Sequence, residues 1–109
     1  MNYKYGEFSE NQISKMKESM RKQIFFLLLL ADPATKNDYS NVNIKEAIVS
    51  LLFKIDGFNS LLFYPVEIVK IQSLLEEALI QLDSPEFSFE VYRKLILDAG
   101  AEVLNIKEV

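Results

Sequence analysis

The sequence predicts an all-α protein: an antiparallel four-helix bundle with a short irregular apolar segment between the second and third helices. Three observations predict it. Apolar residues recur at helical spacing in four separate stretches. Glycine and proline number three each, and most of them stand where those stretches start or stop. Good capping residues precede the stretches. The 109 residues suit a single domain, 1–109, and half of them are apolar against 26% charged, the balance of a folded globule.

Residues 1–8 read as a short aromatic leader carrying Tyr3, Tyr5 and Phe8 around Gly6. Ser9 is then an N-cap, with Gln12 placed to close a capping box. Phe8 and Ile13 flank the cap as a hydrophobic staple. The first helix is expected over about 10–31. Its stripe is Ile13, Met16, Met20, Ile24, Leu27 and Ala31. Asp32-Pro33 ends it, because proline disfavours the helical conformation in the residue before it.

Residues 33–42 read as the one substantial loop. Asn43 caps a second helix over 43–56, with Glu46 closing its box and Ile44, Ala47, Ile48, Leu51, Leu52 and Ile55 as the stripe. Gly57 stands at the expected left-handed stop. Phe58–Tyr64 is too apolar for a free loop and reads as an irregular or single-turn segment on the core. Pro65 suits the first position of a third helix over 65–83, with Ile68, Ile71, Leu75, Ala78, Leu79 and Leu82 inward.

The fourth helix is expected over 86–106, starting at Pro85 or after Ser88. Tyr92, Ile96, Ala99, Val103 and Ile106 keep one phase through Gly100, so the helix continues there at about 1 kcal/mol relative to alanine. The rival is a stop at Gly100 and a short strand, AEVLNI.

Composition excludes several chemistries. The chain has no His and no Cys. Imidazole catalysis, thiol nucleophiles, disulfides and Cys/His zinc sites are therefore absent. Paired carboxylates such as Glu76-Glu77, Glu86/Glu90 and Asp98/Glu102 read as solvated helix faces; no metal and no cofactor is expected. No G-x-S-x-G elbow and no glycine-rich phosphate loop occurs. The expectation is a protein without catalytic residues. A net charge of −4 argues against a nucleic-acid partner. The longest apolar run, Ile24–Ala31, is far short of the ~20 residues a bilayer needs. No secretory signal opens the chain, so a cytoplasmic location and no membrane association are expected. Ten lysines against two arginines suggest an AT-rich bacterial or phage genome.

The basic cluster Lys15, Lys17, Arg21 and Lys22 reads first as a solubilising face. Excess apolar surface is more informative. Phe25, Phe26 and Leu29 lie off the stripe of the first helix. Leu97, Ala101 and Leu104 form a second apolar line on the fourth, and Phe53 points away from the stripe of the second. A helix apolar all round must be buried all round. Either the leader and residues 58–64 cover these faces or another chain does; the expectation is another chain, in a homodimer that docks on another protein in a regulatory, inhibitory or immunity-type role. Its anchors are Phe25, Phe26, Leu29, Leu97, Ala101 and Leu104. The alternative is a bundle that binds a small apolar ligand, with Tyr64 or Tyr92 as a polar handle.

Overall fold

The computed structural model describes residues 2–3, 6–7, 9–63 and 65–106, with backbone alone for residues 2–3, 6–7 and 10. The staple through Phe8 and the handle Tyr64 lie outside them. Four α-helices dominate: α1 Glu10–Ala31, α2 Ile44–Leu61, α3 Val66–Asp83 and α4 Phe89–Val103. Within the leader, Asn2–Tyr3 and Gly6–Glu7 form a two-residue antiparallel pair that the sequence did not suggest. A 3-10 turn, Lys36–Tyr39, lies in the loop after α1.

The helices pack in a ring. α1 lies against α2 and α4, and α3 against the same two. Side-chain contacts join opposite ends of α1 and α4, and of α2 and α3. Tyr92 at the start of α4 reaches Leu27 late in α1, while Lys17 early in α1 reaches the carbonyls that follow α4. Lys45 at the start of α2 pairs with Asp83 at the end of α3, and Asn59 near the end of α2 bonds Gln72. The core is continuous from Met20, Ile24 and Leu27 through Ile48, Leu51 and Ile55 to Ile68, Ile71, Leu75, Tyr92, Ile96 and Val103.

The first helix starts where its cap requires. The Ser9 hydroxyl accepts from the Gln12 N–H at 3.2 Å, and the Gln12 carbonyl accepts from the Ser9 N–H at 2.8 Å. The second helix departs from expectation. It does not stop at Gly57 but runs to Leu61, so Phe58–Leu61 is its last turn rather than an irregular segment. The stripe continues as Ile55, Asn59 and Leu62, all buried, with a polar residue inside it. The left-handed residue that ends this region is Phe63, at φ 62°. Bulky side chains seldom adopt that conformation.

The fourth helix begins at Phe89, later than the early option, because the Ser88 hydroxyl accepts from Val91 N–H at 3.4 Å and makes Ser88 the cap. It passes through Gly100 and ends at Val103, short of 106; Leu104–Ile106 follow as a turn with i→i−3 bonds. No strand forms there.

Gly100 is buried, and a Cβ on it would lie 3.3 Å from the edge of the Phe25 ring. The close neighbour is therefore a side chain, not a second backbone. Alanine gains about 1 kcal/mol of helix propensity and meets a half-buried ring that can pivot outward. Gly100→Ala is expected to shift stability by less than about 1 kcal/mol. In a Phe25→Ala background it should stabilise by about that amount. Denaturant melts of the four proteins in the cycle test the coupling.

Candidate interaction surface

The second half of α1 positions the predicted anchors. With Ile24, Leu27 and Leu30 turned into the core, the 100° step of a helix sends Phe25, Phe26 and Leu29 outward. They do not share one environment. Phe25 is half-buried, its ring edge against Gly100 of α4 and its face under the Arg21 guanidinium at 5.4 Å. Phe26 meets Tyr39 of the 3-10 turn edge-to-face, with ring centroids 5.2 Å apart. It keeps 36% of its surface, and Leu29 keeps 38%. On α4, Leu97 is half-buried, Ala101 is exposed and Leu104 is 58% exposed. Phe25 and Leu104 line one shallow groove between α1 and α4, together with Lys17, Arg21 and Lys22. The structure thus brings Phe25 together with the α4 line and turns Phe26 toward the loop after α1.

The basic cluster is partly engaged inside the chain. Lys17 Nζ donates to the carbonyl of Ile106 at 2.9 Å and to that of Leu104 at 3.5 Å. α4 has no base in its own last turn, so this lysine from α1, held by the turn that follows α4, places the positive charge near the negative end of its dipole. Lys22 pairs with Glu18 at 3.2 Å, while Arg21 covers Phe25. Lys15 and Lys22 stay exposed, so part of the cluster remains a solvated face.

The larger exposed apolar area lies elsewhere. Phe53 on α2 is 75% exposed, and Val49 stands one turn before it. On α3, Val66, Val69 and Ile80 also face water, opposite Ile68, Ile71, Leu75 and Ala78. Val49, Leu52 and Phe53 line a shallow groove with Asp56, Gln72 and Glu76. Phe53 carried a visible signal in the sequence. The α3 residues carried the same one, since Val66, Val69 and Ile80 fall on the wheel face opposite the stripe.

Among the described residues no group of three or more Asp or Glu side chains could hold a metal ion. Glu102 pairs with Lys70 at 3.3 Å and Asp98 with Lys94 at 3.4 Å. Tyr92 is fully buried and its hydroxyl donates to the Leu27 carbonyl at 2.7 Å, so that hydroxyl is already engaged within the core and offers no handle to a ligand. Burial pushes its pKa well above the ordinary tyrosine value. Among the described residues no helix is long and apolar enough to cross a membrane.

Comparison of the chain with protein-family models, curated proteins and solved structures finds no match.

Proposed function

We propose that the chain is a non-catalytic helical interaction module that acts by docking, with a second copy of itself as its first partner. The observation that carries this reading is the apolar surface left in water by one copy, with Leu104 on α4 and Phe26 and Leu29 on the outer side of α1. Charge supports a second copy. Lys15 and Lys17 lie in the first half of α1 with Arg21 and Lys22 at its middle, whereas Glu76 and Glu77 lie past the middle of α3. Among the described residues these two acids have no ion pair. Two chains packed antiparallel about a two-fold axis would set the basic stretch of each beside the partner's acidic one. Exposed ion pairs contribute only about 0–1 kcal/mol each, so the apolar anchors, at about 1–3 kcal/mol each, dominate.

Sedimentation equilibrium at micromolar concentration tests this. The expected mass is twice 12.6 kDa. Phe26→Glu or Leu29→Glu should weaken association about tenfold or more, and Lys22→Glu by less. A mass of 12.6 kDa at every concentration overturns the dimer. Dissociation by Phe53→Glu but not by Leu29→Glu would move the interface to the α2–α3 face.

A further inference from the structure

The seam between α1 and α2 holds a groove of about 310 Å³, at the small end of ligand pockets. Met16, Met20, Leu51, Ile55, Phe58 and Leu61 give it apolar walls. Its polar groups gather at one end, where Gln23 and Lys54 meet, with Ser19 between them and Met16. Lys54 Nζ donates to the neutral Gln23 carbonyl at 3.4 Å. Among the described residues it has no carboxylate within ion-pair reach. Beyond Gln23 and Lys54 the seam continues as a second shallow groove, lined by Lys22, Phe26, Leu27, Ala47, Ser50 and Leu51. Neither stretch is lined by an acid, although the chain carries 16 acids against 12 bases.

Gly57 lies on the wall of the first groove, within α2. Its backbone needs no glycine: it is helical, and a Cβ would meet nothing within 4 Å. Glycine inside a helix is less favourable than alanine. The bundle's own packing therefore gives no reason for it. A molecule lying in the groove gives one, because the missing Cβ lets it approach the helix backbone.

We infer that this groove binds a monomeric aliphatic carboxylate, with the tail between Met16, Phe58 and Leu61 and the head at Lys54 and Gln23. From Met16 to Gln23 the helix axis runs about 11 Å, about the length of an extended chain of eight to ten carbons. The walls exclude a second charge, so the ligand carries one anionic head and an otherwise apolar body. Methionines at 16 and 20 adapt to chains of different length.

Decanoate, decanol and decyltrimethylammonium, all below micelle formation, are the probes for calorimetry on the full chain. Saturable binding of decanoate is expected, about twofold to fivefold tighter than the other two, which is what one exposed ion pair supplies. Lys54→Met should bring decanoate down to the affinity of decanol. Gly57→Leu places a side chain in the open space and should abolish binding of all three. Its far-UV circular dichroism should be unchanged and its thermal midpoint no lower. The inference is overturned if the wild-type chain shows no saturable uptake, as it would if its own N-terminal residues or a second copy filled the groove. It is equally overturned if the three probes bind alike, or if Gly57→Leu stays folded and still binds decanoate.

Discussion

Tyr92→Ala is expected to cost about 3–5 kcal/mol of folding stability, a large part of the 5–15 kcal/mol typical of a domain. The side chain is 0% exposed and packs with Phe87 and Phe89, with ring centroids at 6.2 and 6.4 Å. Truncation leaves a cavity between the start of α4 and the end of α1. Tyr92→Phe keeps the ring and removes only the bond to Leu27, and should cost about 1 kcal/mol. The phenol also carries a pH dependence. Burial raises its folded pKa, so in the unfolded chain it ionises from its ordinary value of 10.0 while the folded chain keeps the proton. The unfolded state then binds fewer protons, and stability falls as pH rises above 10 by up to about 1.4 kcal/mol per unit. Urea melts of wild type and Tyr92→Phe between pH 8 and about 11 check this. The two should run parallel below 10 and converge above it.

Substitutions at Asn59 are expected to act in opposite directions. Asn59 is 2% exposed, its amide nitrogen donates to Gln72 at 2.9 Å, and its buried oxygen has no donor. Asn59→Leu removes the unsatisfied acceptor and extends the apolar stripe of α2, and should stabilise by about 1 kcal/mol. Asn59→Asp puts an uncompensated carboxylate in the same place, with Asp56 sharing the Gln72 amide, and should cost about 3–5 kcal/mol at neutral pH. Chemical denaturation of both variants against wild type decides the signs. If both destabilise by similar amounts, the Asn59–Gln72 bond is worth more than the missing donor costs.

Asn59 also explains why part of the fold could be read from the chain and part could not. The limits of α1 were legible because local chemistry sets them: a reciprocal Ser9–Gln12 box at one end, Asp32-Pro33 at the other. The inward line of α4 was legible for the same reason, its stripe holding phase across Gly100. The end of α2 was not. Gly57 carries a stop signal, yet Phe58 and Leu62 pack on the core and hold the next turn in helix. Asn59 hid the continuing stripe because its partner is a glutamine thirteen residues away, a tertiary fact. The candidate anchors followed the same division. Which residues leave the core stripe is a matter of periodicity, so Phe26, Leu29, Phe53 and Leu104 could be found. Which neighbour meets them is not: Arg21 over Phe25 and Tyr39 against Phe26 depend on how the helices and the following loop come together.

The Lys17 clamp bears on how the molecule comes apart. The carbonyls it holds follow the last helix, almost ninety residues along the chain. A helix end with no base of its own frays readily when solvent alone serves its carbonyls. Here fraying must break bonds to α1, and detachment of α1 must uncover the end of α4. The first and last helices are thereby tied into one cooperative unit, so local opening at either end of the chain is coupled to opening at the other.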